Sequence, residues 1–193
     1  ILGVNTVGRL NEIIAANEIK DFVKVAEALH EKKIAAIADQ IASNSSIKWI
    51  LIAGPSSSGK TTFAKRLAIQ LRVNGLRPVT LGTDDYFVDR EHTPRTPAGE
   101  YDFEHLHAVD VPVLNRDLAD LDAGREIRRP TFDFHTGSRS YKGKTLRLDD
   151  DQVVVLEGIH SLNPALTPGL PDARKFHIYI SALTQLNLDN NNR

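Results

Sequence analysis

Gly54-Pro55-Ser56-Ser57-Ser58-Gly59-Lys60-Thr61-Thr62 stands between two stretches of different periodicity, and that contrast decides the fold. Ahead of it, Trp49-Ile50-Leu51-Ile52-Ala53 is an unbroken apolar run with the length of a buried strand. Behind it, Ala64, Leu67, Ala68 and Leu71 recur at i, i+3, i+4 and i+7, the stripe of an amphipathic helix. Gly54 and Gly59 let the backbone curl so that successive N–H groups, those of Ser56, Ser57, Ser58 and Thr62 included, point into one concavity. The helix that follows adds its positive N-terminal end to the same place. Lys60 brings a point charge for outer phosphates, and the Thr61 hydroxyl is suited to Mg²⁺. A glycine-bounded loop of this spacing between strand and helix is a P-loop, so the chain is expected to bind a nucleoside triphosphate.

Outward from this motif, strands and helices alternate. Pro78-Val79-Thr80-Leu81 reads as a second strand, and Val111, Leu114, Leu118 and Leu121 as a helical stripe closed by Gly124. Gln152-Val153-Val154-Val155-Leu156 has the β-branched content of a central strand, and residues 175–180 read as a further one. The pattern predicts an α/β P-loop NTPase fold of three layers, with a parallel central sheet and helices on both faces. Residues 1–46 differ: two helical stripes, Phe22-Val25-Ala26-Leu29 and Ile34-Ile37-Ala38-Ile41, end at Ser43-Asn44-Ser45-Ser46. They are expected to form a helical connector from an upstream region, with residues 47–193 as the core.

A formal charge of −1 gives no reason to expect nucleic acid or a membrane, and no apolar run approaches a membrane span. Cysteine is absent, which removes disulfides and thiolate metal sites and fits a cytoplasmic protein. The start at Ile1 reads as the mark of a fragment. Composition leaves a homo-oligomer open.

In an open parallel sheet, ligand-contacting residues gather beyond the carboxyl ends of the strands. Asp84 and Asp85 follow one strand, and Glu157-Gly158 follows another. Glu157 is a candidate magnesium ligand or an exposed loop carboxylate. Asp84 is a candidate general base for a hydroxyl nucleophile, a metal contact or a turn cap. Glu100-Tyr101-Asp102-Phe103-Glu104 mixes acids with aromatics, suited to hydroxyl recognition and ring stacking. Residues 125–147 hold seven Lys/Arg against two acids, which as a charge run reads as a solvated face. His135 reads as structural.

The order of these pieces carries more than any one of them. GPSSSGKTT, TDDYF, EYDFEH, PTFDFHTGSR and VVVLEGIH, in that sequence, resemble the phosphoribulokinase/uridine kinase family over residues 49–181, and its uridine kinase branch most of all. The resemblance implies transfer of the ATP γ-phosphate to the 5′-hydroxyl of a nucleoside, with ATP and Mg²⁺ required. By position it implies Asp84 as base with Lys60 in the catalytic pair, Thr61 and Glu157 as magnesium ligands with Asp84 beside them, and Asp102 on the ribose hydroxyls. Phe132, Phe134 and Arg139 are implied to line the acceptor pocket. Residues 1–45 also resemble the connector in uridine kinase-like proteins whose N-terminal domain is similar to part of threonyl-tRNA synthetase.

The chain departs from the family pattern at three places. Gly137 stands where the pattern has a pyrimidine-reading histidine, Phe132 stands where it has tyrosine, and the arginine-rich lid expected after Ile180 does not follow. Base discrimination is therefore expected to be loose or shifted. The core is expected to lack its lid and C-terminal part, and to bind Mg-nucleotide better than it turns over. Phosphoribulokinase-like or pantothenate kinase-like acceptors, and a degenerate kinase acting as a nucleotide-binding module, are the alternatives. No Asn-Lys-x-Asp guanine-reading run or Leu-Ser-Gly-Gly signature is present.

Overall fold

A computed structural model describes residues 2–142, 145–181 and 186–189. The elements are α1 (Val7–Ala15), α2 (Ile19–Ala42), β1 (Trp49–Ala53), α3 (Lys60–Val73), β2 (Arg77–Gly82) and α4 (Val111–Asp122). They continue as β3 (Ile127–Arg128), β4 (Thr131–Asp133), β5 (Ser138–Ser140), β6 (Thr145–Leu146), β7 (Gln152–Glu157) and β8 (Lys175–Tyr179). Four strands form one parallel sheet in the order β2-β7-β1-β8. The expected parallel sheet is present, with helices on both faces.

Alternation along β1 and β7 explains the layers, because successive side chains of a strand point to opposite faces. Trp49, Leu51, Val154 and Leu156 pack on one side with Leu81 of β2 and with Leu114, Leu118 and Leu121 of α4. Ile50, Ile52, Val153 and Val155 pack on the other with Leu67 and Leu71 of α3 and Ile34, Ala38 and Ile41 of α2. Each large aliphatic side chain fully buried here stabilises the fold by about 1.5–3 kcal/mol. The Trp49 indole N–H donates to Asp122 Oδ1 at 3.1 Å, pinning the end of α4 to the sheet.

The 24-residue α2 has two characters. Its buried residues are Ile34, Ala38 and Ile41, all in the C-terminal half, while α1 has none. Polar contacts reinforce the buried half. Arg66 Nε donates to Glu31 Oε2 at 2.9 Å and Gln70 Nε2 donates to Glu31 Oε1 at 2.7 Å, tying α2 to α3.

The basic stretch read as a solvated face keeps Arg125, Arg128 and Lys142 exposed, and its backbone folds into two small antiparallel ladders, β3–β6 and β4–β5. Strands of two and three residues are too short to leave a readable alternation. The polar run 187–193 suggests a mobile tail, yet Asn187 at its start pairs with the N-terminal arm: its N–H donates to Asn5 O and its carbonyl accepts from Val7 N, both at 2.9 Å. The mobile tail and missing-lid expectations for residues 182–185 and 190–193 lie outside the described residues. Among the described residues, no helix is long and apolar enough to cross a membrane.

Candidate active site

The P-loop runs from the end of β1 into α3. A β-carbon at Gly54 would run into the carbonyl oxygen of Ile180 and lie 2.9 Å from Ser58 Oγ, so only glycine fits there. Ser57 and Gly59 take left-handed backbone angles, φ 59° and 88°, which curl the loop around its centre. Gly59 caps α3 without a side chain, and the first helix bond runs from Phe63 N to Gly59 O at 2.9 Å. The N–H groups of Lys60, Thr61 and Thr62, ahead of that bond, have no partner within the helix and suit a ligand at the positive end of a 14-residue helix, while Ser58 N donates to Pro55 O at 3.3 Å. Lys60 Nζ reaches back across the loop to Pro55 O at 2.8 Å.

Sheet register brings the acids to this loop. In the parallel pair β2–β7, Gly82 lies opposite Glu157, so the 3-10 turn Thr83–Tyr86 starts beside the end of β7. Glu157 in turn neighbours β1, and Thr61 Oγ1 donates to Glu157 Oε1 at 2.8 Å. Asp84 keeps an exposed edge, which limits any shift, but the protein packed around its carboxyl pushes the pKa up. Glu157 pushes the same way and Lys60 opposes it. Lys60, Thr61, Asp84 and Glu157 thus share one electrostatic neighbourhood.

The two acids of the turn part company. Asp85 accepts the backbone N–H of Phe132 and lies near Arg129, while burial pushes its pKa up. It fastens β4 to the turn and leaves Asp84 as the carboxyl beside the P-loop. Among the described residues, no three His, Cys, Asp or Glu side chains form a metal cage. A hydroxyl and a carboxylate in contact fit Mg²⁺ held jointly with phosphate oxygens and water, the usual arrangement for this ion.

Beside the β4–β5 hairpin, Phe87 is the centre of a ring cluster that sequence reading did not single out. Its centroid lies 5.7 Å from Phe103, 5.6 Å from Phe132 and 6.0 Å from Phe134. Phe132 is only 6% exposed and serves as backing, whereas Phe134 is 55% exposed and accessible. Both line an open groove of about 590 Å³ that also takes in Thr131, His135, Ser138 and Lys142. Arg139 sits opposite Phe132 in the β4–β5 ladder, and its Nη2 donates to Asp110 Oδ2 at 2.7 Å, so its charge is already paired. Asp110 was not anticipated; it also caps α4 by accepting Val113 N. Asp102 accepts Glu104 N at 3.0 Å in a local turn, while His160 Nε2 and Glu104 O are 2.7 Å apart. His160 and Glu104 border a hollow of about 430 Å³ with Gly54, Pro55 and Ser56, next to the P-loop. Gly137 closes the β4–β5 hairpin with φ 68°, and a β-carbon there would sit 2.6 Å from Arg90 Nε.

The sequence profile described as "Phosphoribulokinase / Uridine kinase family" matches residues 49–191. The chain belongs to the phosphoribulokinase/uridine kinase family. Among curated relatives, a uridine kinase from Ureaplasma parvum serovar 3 is 28% identical over 127 residues, covering 66% of this chain and 60% of that protein. A uridine kinase from Staphylococcus epidermidis is 34% identical over 111 residues, covering 58% of this chain and 52% of its own length. The matched stretch therefore spans little more than half the length of these family members. A solved structure of a possible uridine kinase from Bacillus stearothermophilus superposes with a TM-score of 0.56 at 29% identity, covering 69% of this chain and 70% of that one. The family match covers the sheet, the P-loop and both acids, while α1 and α2 precede it.

Proposed function

We propose that this protein is an ATP-dependent kinase that transfers the γ-phosphate of ATP to the 5′-hydroxyl of a nucleoside. The observation that carries this reading is the convergence of Lys60, Thr61, Asp84 and Glu157 at the carboxyl end of the sheet. In this reading the curled loop and the open N-terminus of α3 hold the triphosphate, and Lys60 leaves Pro55 O to meet its outer phosphates. Asp84 accepts the proton of the acceptor hydroxyl as its oxygen bonds to the γ-phosphorus. The bond from that phosphorus to the β–γ bridging oxygen breaks, and ADP leaves. Thr61 and Glu157, with Asp84 nearby, would hold Mg²⁺, which would supply charge neutralisation on the phosphates. Asp102 orients the ribose hydroxyls, and Phe134 offers a face to the base with Phe132 behind it. Arg139 borders this pocket through its pairing with Asp110.

A screen of nucleosides and other small alcohols for ATP-dependent phosphorylation by the full-length protein tests the reading. Phosphorylation of a nucleoside at its 5′-position is the expected result. Phosphorylation confined to a sugar phosphate or to pantothenate would replace the acceptor assignment. ATP binding without transfer to any alcohol would replace the kinase assignment.

A further inference from the structure

Arg90 is half-buried and carries no carboxylate partner among the described residues. Arg116, Arg125, Arg139 and Arg174 each face an aspartate. The acids flanking Arg90 border the same hollow but pair with other groups: Asp89 Oδ1 accepts Arg139 N, and Glu91 lies 3.9 Å from His92 Nδ1. What holds Arg90 is backbone. Its N–H donates to Gly137 O at 2.8 Å, and its Nη2 donates to Phe134 O.

The glycine is needed for this arrangement. A β-carbon at position 137 would lie 2.6–2.8 Å from Arg90 Nε, Cβ and Cζ, so the guanidinium occupies the space where a side chain of the turn would stand. A hollow of about 360 Å³ opens there, lined by Arg90, Tyr101, Thr136, Gly137 and Ser138 among others. Tyr101 links this hollow to the aromatic cluster, its ring centroid 6.3 Å from Phe103. A guanidinium has five N–H donors and no acceptor. One is committed to Phe134 O, and the rest have no protein acceptor among the described residues.

We infer that Arg90 reads the edge of the acceptor's base and makes the site favour oxo-bases over amino-bases. The inference rests on the nucleoside kinase reading above. A carbonyl oxygen at the base edge accepts from the guanidinium. An exocyclic amine at the same edge sets donor against donor and leaves a partly desolvated cation unsatisfied. Uridine and inosine are therefore favoured over cytidine and adenosine, by about 10- to 100-fold for one such mispaired group.

The test uses the full-length protein with saturating ATP, wild type alongside Arg90→Lys and Arg90→Gln. Calorimetry with ADP in place of ATP gives the dissociation constants of the four nucleosides, and initial rates with ATP give kcat/KM. Uridine over cytidine and inosine over adenosine are expected in wild type. Arg90→Lys, still donor-only, keeps the direction. Arg90→Gln, whose amide both donates and accepts, brings the ratios towards one with ATP affinity and melting temperature held. Equal preference in wild type, or ratios unmoved in Arg90→Gln, would overturn the inference. An equal loss for all four nucleosides would reduce Arg90 to a clamp on the hairpin and overturn it too. MgATP binding with no nucleoside bound or phosphorylated would instead bring down the nucleoside reading, and this inference with it.

Discussion

Gly158 lies directly against Thr83, so close that a β-carbon at position 158 would overlap the Thr83 hydroxyl. Thr83 is buried and precedes Asp84, while Gly158 follows Glu157. One contact without room for a methyl group therefore sets the separation of the two acids. Gly158→Ala is expected to force the Thr83–Tyr86 turn away from β7, at about 1–3 kcal/mol as for other overpacked sites. Transfer should fall more than ATP binding. Thermal melting and steady-state kinetics check this, and a variant with wild-type stability and rate would show that the turn yields freely.

Lys60→Ala should weaken ATP binding and abolish transfer while leaving the fold intact. The side chain's bond is to a loop carbonyl, Pro55 O, and none of it belongs to either core cluster. Nucleotide titration and a melting curve separate the two effects. Unchanged affinity and turnover would remove the P-loop assignment.

Asp84→Asn and Asp85→Asn should behave differently although the residues are adjacent. An amide at 84 keeps size and some hydrogen bonding but takes no proton, so transfer should drop by about 10²–10⁴. At 85 the carboxyl holds the Phe132 N–H, and its loss should loosen β4 and raise the acceptor KM with a smaller effect on kcat. Equal kinetic profiles for the two variants would contradict the division of roles.

The two halves of α2 should respond unequally to truncation. Ile34→Ala removes a side chain with no solvent exposure and is expected to cost about 2–5 kcal/mol. Val25→Ala, at a 53% exposed position, should stay within about 0.5 kcal/mol. Denaturant unfolding of both variants measures the difference directly.

The α2–α3 seam carries a pH signature. Hydrogen bonds from Gln70 and then Arg66 hold the Glu31 carboxyl below its ordinary value of 4.5. A depressed folded-state pKa contributes stability above the unfolded value and loses it as pH falls through the folded one. Wild type should thus be more stable than Glu31→Gln at neutral pH, by a small margin for an exposed pair, with the gap closing in acid. A gap that stayed constant from neutral pH through that range would mean the ionised carboxylate contributes nothing.

The P-loop core was legible in the chain because its signals are local. The apolar run of β1, the glycines at 54 and 59 and the 3.6-residue stripe of α3 each depend on neighbouring residues, and backbone sterics and burial turn such periodicities into elements regardless of the rest of the fold. The same holds for β7 and α4, and the ordered series of motifs was enough to assign the family before any strand was placed. Tertiary structure alone decided the strand order β2-β7-β1-β8 and the Gly82–Glu157 register that sets the acids beside the P-loop. The motif series had pointed to Asp84 over Asp85, but only packing supplied the physical difference, setting Asp85 by Phe132 and Asp84 beside Lys60. Phe87 as the hub of the ring cluster, the Arg139–Asp110 pair and the seat of Arg90 on Gly137 were equally hidden. These partners lie far apart in sequence, as Thr61 and Glu157 do at 96 positions. A contact over that distance comes from how whole elements pack, and no periodicity within a stretch of chain records it.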